Sequence, residues 1–142
     1  MSGIRGRDTK PEMLLRSGLF ARGFRFRLHV AALPGHPDLA LSKYQAVILI
    51  HGCFWHGHFC SIFKWPKTRP AFWRRKILRN RFVDRRSQRE LREAGWRVLT
   101  VWECSIKGPS RIGTPRTVGM IERWLRSKKA IGTISGTGVR AT

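Results

Sequence analysis

Residues 46–50 read AVILI, an unbroken apolar run. A strand of that composition turns apolar groups to both faces of its sheet, so other elements must cover both faces. The requirement narrows the fold to a layered α/β arrangement, a mixed sheet flanked by helices. The rest of the chain supplies those layers. Thr9, Pro11 and Glu12 form a capping-box start for a helix, with Met13, Leu14, Leu15, Leu19 and Phe20 as its apolar stripe and Gly23 after its end. FRFRLHV, residues 24–30, alternates apolar and polar positions as a half-buried strand does. The turn LPGHPD leads into a short strand, DLAL, and then into YQAVILIHG. Residues 71–94 read as a long helix, with Pro70 at its start and Gly95 beyond its end. WRVLTVW, residues 96–102, reads as a second central strand. TPRTVGMIERWLRSKK follows as an amphipathic helix with Val118, Ile121, Trp124 and Leu125 on one side. One domain over residues 1–129 is expected, with residues 1–7 as a basic arm and 130–142 as a mobile tail.

The chain carries 29 Lys and Arg against 8 Asp and Glu, a formal charge of +21. A surface so cationic calls for a polyanion, and nucleic acid is the default partner. No apolar run is long enough to cross a membrane, and the N-terminus lacks the apolar stretch of a signal peptide. A cytoplasmic location and a monomer are expected. Three cysteines make a poor disulfide framework there, so metal binding or simple burial is the expected use.

The decamer HGCFWHGHFC, residues 51–60, holds three of the five histidines and two of the three cysteines. Cys53, His58 and Cys60, with Cys104 beyond the last central strand, would make a Cys₃His zinc site stapling a long loop to a distant strand. Three buried thiols and a surface histidine is the alternative. Among the carboxylates, Asp84, Glu90 and Glu93 lie among arginines on the long helix and read as a solvated face, and Glu122 reads likewise. Asp38, after Pro37 at the mouth of the sheet, suits either a Mg²⁺ ligand or a turn cap. Glu12 reads first as the capping-box acid. Glu103 reads as support for the loop or a strand-end charge. His51 and His56 are candidates for proton transfer or phosphate contact; His29 and His36 read as structural or surface residues. Phe54, Trp55 and Trp73, set among basic residues, suit core filling or insertion into a base stack.

The stretches RDTKPE, FRFRLHV, LPGHPD, VILIHGCFWHGHFC, FWRRKILRN, DRR and GWRVLTVWEC span residues 7–104 in order. Together they resemble the very-short-patch-repair (Vsr) DNA mismatch endonucleases. The resemblance implies a restriction-endonuclease-like fold with a structural zinc site. It implies nicking of one strand, 5′ to the thymine of a T:G mismatch left by deamination of 5-methylcytosine. By the same resemblance Asp38 and the backbone carbonyl of Ile50 hold Mg²⁺. His56 is the general base or proton shuttle, His51 acts through the phosphate or its metal-bound water, Glu12 is an acidic member of the site, and Asp38, His51 and His56 are expected to converge on one divalent ion. Cys53, His58, Cys60 and Cys104 match zinc ligands, and Phe54, Trp55 and Trp73 match aromatics inserted beside the mismatch. The implied partner is double-stranded DNA with a T:G mismatch; a mismatch-repair protein is a further candidate. Gly57 stands where some relatives have another histidine. A non-catalytic, zinc-stapled DNA-binding module and a restriction-type nuclease of the same fold are the alternatives.

Overall fold

The structure, a computed structural model, describes residues 9–137. Its elements run α1 (Lys10–Ala21), β1 (Arg27–Leu28), β2 (Leu39–Leu41), β3 (Ala46–His51), α2 (Pro70–Glu93), β4 (Arg97–Trp102), α3 (Thr114–Arg126) and β5 (Ile131–Ile134). Among the described residues these strands form a mixed sheet in the order β1-β2-β3-β4-β5. The first two pairings are antiparallel, and β3-β4 and β4-β5 are parallel.

The AVILI run lies in the middle strand, and its period-two alternation divides the core. Ala46 and Ile48 pack with Leu39, Leu41, Leu99 and Val101 beneath α1 and α3, which contribute Leu15, Leu19, Val118, Ile121 and Leu125. Val47 and Leu49 face the other way, with Ala40, Val98 and Leu91 of α2. Each fully buried aliphatic side chain contributes about 1.5–3 kcal/mol, so covering both faces is what makes this strand stable. The capping box at α1 is present in full: Thr9 accepts from the Glu12 amide, and the Glu12 carboxylate accepts from the Thr9 amide.

Two expectations are corrected. FRFRLHV does not form a seven-residue strand: only Arg27–Leu28 pair with β2, and Leu28 is exposed. His29 takes a φ of +46°, which breaks the alternation and turns its ring back toward α1. The tail expected from residue 130 begins instead with β5, whose Ile134 reaches the core and pairs with Val101. The basic arm, residues 1–7, and the last five residues of the tail lie outside the described residues. No helix among the described residues is long and apolar enough to cross a membrane.

Candidate active site and metal centre

Chemistry collects where β3 ends. Leu39 of β2 pairs with Ile48 of β3 in antiparallel register, so Asp38, one residue earlier, falls beside the end of β3. Its Oδ2 accepts from the Ile50 amide at 2.7 Å. Its backbone is fixed as well: the His29 amide donates to the Asp38 carbonyl at 3.1 Å and the Val30 amide to the Pro37 carbonyl at 3.2 Å. Glu12 reaches the same place from the first turn of α1 and is only 2% exposed. Glu12 Oε1 serves the capping box, while Oε2 lies 3.4 Å from His29 Nε2 and 3.4 Å from Arg16 Nη2. Ligand atoms of Glu12, His29 and Asp38 all lie within 4.8 Å of one another. Burial pushes the Asp38 carboxyl up to about 7, with the neighbouring Glu12 adding to the effect and the Ile50 N–H opposing it. Two carboxylates this close need a proton or a cation between them. Their hard oxygen donors fit a divalent ion such as Mg²⁺.

The next residue on β3, His51, faces the α2 side. Its ring stacks on His56 with centroids 3.8 Å apart and planes 2° from parallel, and the edge of Trp102 packs on it at 5.2 Å. Burial, then the His56 and His58 rings, hold the pKa of His51 well below the usual imidazole range, so it is neutral. His56 Nδ1 lies 2.5 Å from Asp84 Oδ2. With Nδ1–H donating to that carboxylate, Nε2 is left with a free lone pair. A cleft of about 200 Å³ opens beside the stack, and Arg81, Asp84, Arg85 and Gln88 of α2 line its far side. Gly57 closes the turn at a φ of +65°, and a Cβ there would come within 2.6 Å of Ile77 Cγ2.

The convergence of Asp38 with both His51 and His56 on one ion is not what the ligand groups give. Among the described residues the close groups are Glu12–His29–Asp38 and His51–His56–Asp84. The two groups share one end of β3, because Ile50 anchors the first and His51 belongs to the second.

A third group contains Cys53, His58, Cys60 and Cys104, again with ligand atoms within 4.8 Å of one another. The thiols are free rather than paired in disulfides, and Cys53 and Cys104 are fully buried. His58 Nδ1 lies 3.8 Å from Cys104 Sγ, which also accepts from the Gly136 amide at 3.2 Å. Hydrogen bonding from the Cys53 thiol, aided by His58 and Gly136, brings the Cys104 thiol down to about 4 and pushes that of Cys53 up. A buried nest of sulfurs and one imidazole, with one sulfur already favoured as thiolate, is a donor set able to hold a metal ion. Glu103 ties the arrangement to β4: its Oε1 accepts from the Cys53 amide at 3.1 Å.

Phe54, Trp55 and Trp73 meet edge to face, with centroids 5.2–5.7 Å apart. Asn80 holds this corner by donating to the Trp55 carbonyl at 2.7 Å, and Trp55 stays 39% exposed. A partly exposed ring cluster among cations can pack against nucleobases.

Two members of the site escape the sequence reading. Asp84 is not part of a solvated face; it holds His56. The signal was its position midway between the buried Ile77 and Leu91, seven residues from each, which places it on the inner side of α2. His29 is drawn in because its positive φ turns the ring toward Glu12, and no sequence pattern announces that.

Comparison of the sequence with known proteins points to one family. The family model for the DNA mismatch endonuclease Vsr matches residues 1–62. The chain is 42% identical to the DNA mismatch endonuclease Vsr of Escherichia coli (strain K12), over 98% of this chain and 89% of that protein. It is 45% identical to the type II nicking enzyme V.XorIIP of Xanthomonas oryzae pv. oryzae, over 75% of this chain and 78% of the relative. It is 45% identical to V.NmeAIP of Neisseria meningitidis serogroup A, over 75% of this chain and 76% of the relative. With carboxylates, imidazoles and a thiol cluster gathered around one sheet end, and with identity of this extent, the chain belongs to the Vsr DNA mismatch endonuclease family and is a DNA endonuclease.

Proposed function

We propose that this endonuclease hydrolyses one phosphodiester bond, 5′ to the thymine of a T:G mismatch in duplex DNA, in a Mg²⁺-dependent reaction that begins very short patch repair. The observation that carries the proposal is the paired cluster at the end of β3: Asp38, bonded to the Ile50 amide with Glu12 beside it, and the His51–His56 stack held by Asp84 beginning one residue later.

Asp38, with the Ile50 carbonyl, would hold Mg²⁺, and Glu12 would complete the acidic surround. In an extended strand the N–H and C=O of one residue leave toward the same edge, so the Ile50 carbonyl faces the side on which Asp38 bonds its amide. Bound there, Mg²⁺ would supply Lewis acidity and offset phosphate charge. His56 takes a proton from the attacking water through Nε2, and Asp84 fixes the tautomer and steadies the imidazolium that results. Neutral His51 offers an N–H to a phosphate oxygen, and Arg81 and Arg85 hold the phosphate in the cleft. Cys53, His58, Cys60 and Cys104 would hold Zn²⁺ in a closed structural site that fixes the loop bearing His56.

Phe54, Trp55 and Trp73 would enter the base stack beside the mismatch. A T:G wobble unstacks at lower cost than a matched pair, so deformation energy contributes to selectivity. The sheet, with its antiparallel and parallel halves and helices on both faces, supports a restriction-endonuclease-like fold. The functional unit is taken as one monomeric domain that includes β5, acting in the cytoplasm, where reducing conditions keep the thiols available. A mismatch-repair protein is a candidate partner.

The test is a denaturing gel of T:G and matched duplexes, each with and without Mg²⁺. One Mg²⁺-dependent nick in the thymine strand of the T:G duplex alone is expected. Equal cutting of matched DNA, or cutting of both strands, would refute the mismatch assignment.

A further inference from the structure

The aromatic cluster continues past the three rings already assigned. Phe54 stacks on Phe63 at 5.8 Å, and Phe63 meets Phe59 at 5.1 Å and Trp65 at 5.0 Å, both edge to face. Phe63 is half-buried, yet its neighbours are open: Phe59 is 62% exposed and Trp65 44%. Each carries a cation against its ring. The Arg74 guanidinium lies 5.5 Å from the Trp65 centroid, and that of Arg81 lies 6.0 Å from Phe59. Arg81 also lines the cleft beside the imidazole stack. This surface therefore touches the Phe54–Trp55–Trp73 corner on one side and the proposed phosphate cleft on the other.

Its surroundings select the ligand. No Asp or Glu occurs between residues 39 and 83, while Lys64, Lys67 and Arg69 accompany Trp65 on the loop. A flat ring beside guanidinium and ammonium groups suits a nucleobase with its phosphate: the ring meets the π-face and the cations meet the charge. A second copy of so cationic a chain would be repelled.

We infer that Phe59 and Trp65 form a second stacking surface, which receives a nucleobase displaced from the duplex by the Phe54–Trp55–Trp73 wedge on the strand entering the cleft. The inference rests on the proposed mismatch activity. It adds to it a reason for the displaced base to stay displaced, because part of the lost stacking is recovered on the protein.

The test is a double-mutant cycle on equilibrium binding, measured by fluorescence anisotropy in Mg²⁺-free buffer. Wild type, Trp65→Ala, Trp65→Phe and Arg74→Ala are titrated with matched and T:G duplexes. They are also titrated with T:G duplexes in which each base near the mismatch is replaced in turn by an abasic site. Trp65→Ala should weaken T:G binding about 5- to 150-fold, the range for loss of one base–aromatic stack. Trp65→Phe should retain most of the affinity. One abasic position should weaken wild type by a similar factor and leave Trp65→Ala unchanged. Arg74→Ala alters only an exposed helical side chain, so it folds even if Trp65→Ala does not, and it should lower affinity at the same position. Losses that add at every abasic position for all variants would overturn the inference. If wild type still prefers and nicks the T:G duplex in that case, the mismatch assignment stands without it. If wild type shows no preference for T:G, both fall together.

Discussion

Replacing Asp38 with Asn should make the Mg²⁺-free protein more stable while abolishing nicking. Burial and Glu12 raise the carboxyl from an ordinary aspartate value of 3.8 to about 7. Below the ordinary value the group is neutral in both folded and unfolded chains and costs nothing. From there up to about 7 the unfolded carboxyl ionises while the folded one is held neutral, so stability present in acid is lost progressively, and the loss is complete once the folded group has ionised above 7. A shift of about three units corresponds to about 4 kcal/mol at 1.36 kcal/mol per unit. Residual solvent access to Asp38 trims this, and we expect about 2–3 kcal/mol at pH 8. Asparagine keeps the shape: its oxygen can accept from the Ile50 amide, as Oδ2 does at 2.7 Å, and its amide can donate toward Glu12 where the carboxylates now face each other. Urea unfolding of both proteins at pH 5 and pH 8, without added Mg²⁺ and without chelator, measures the effect. The advantage of Asp38→Asn should shrink to less than half at pH 5. Added Mg²⁺ should stabilise wild type alone, by mass action on the folded state. An Asn variant less stable than wild type at pH 8, or a gap that ignores pH, would refute the claim that the site stores unfavourable charge awaiting a cation.

Asp84→Asn should lower the single-turnover nicking rate about 10- to 100-fold with little change in DNA affinity, since it touches the proton-transfer ring rather than the duplex; an equal loss in affinity would mean that Asp84 acts on binding. Cys104→Ser should empty the thiol cluster of zinc, as read by elemental analysis of purified protein, and lower the melting temperature steeply because the loop of residues 52–69 loses its staple. Retention of one zinc per chain in that variant would exclude Cys104 as a ligand. Gly57→Ala combines a positive φ with a Cβ 2.6 Å from Ile77, and should cost about 1–3 kcal/mol in urea unfolding while slowing nicking through a displaced His56.

What the sequence determined was mostly local or periodic. The capping box at Thr9, the AVILI strand, the long helix after Pro70 and the amphipathic face of α3 follow from spacing alone, because period and cap chemistry act within a few residues. The thiol and imidazole donors of residues 53–60 and Cys104 could be grouped for a related reason: few side chains bind metal, so few combinations exist. Tertiary structure decided the remainder. The length of β1 depended on whether β2 offered partners for more than two residues. β5 exists because β4 has a free parallel edge for Ile131–Ile134, an edge no local propensity reveals. His29 and Asp84 joined the site through contacts 17 and 28 residues distant in sequence, with Glu12 and His56 respectively. The division into a carboxylate group and an imidazole group arises because Ile50 and His51 are consecutive on a strand, where one residue anchors Asp38 through its backbone and the next points its ring to the α2 face. Side-chain types set which chemistry was available; the pleat of β3 and the course of α2 across it set which groups could meet.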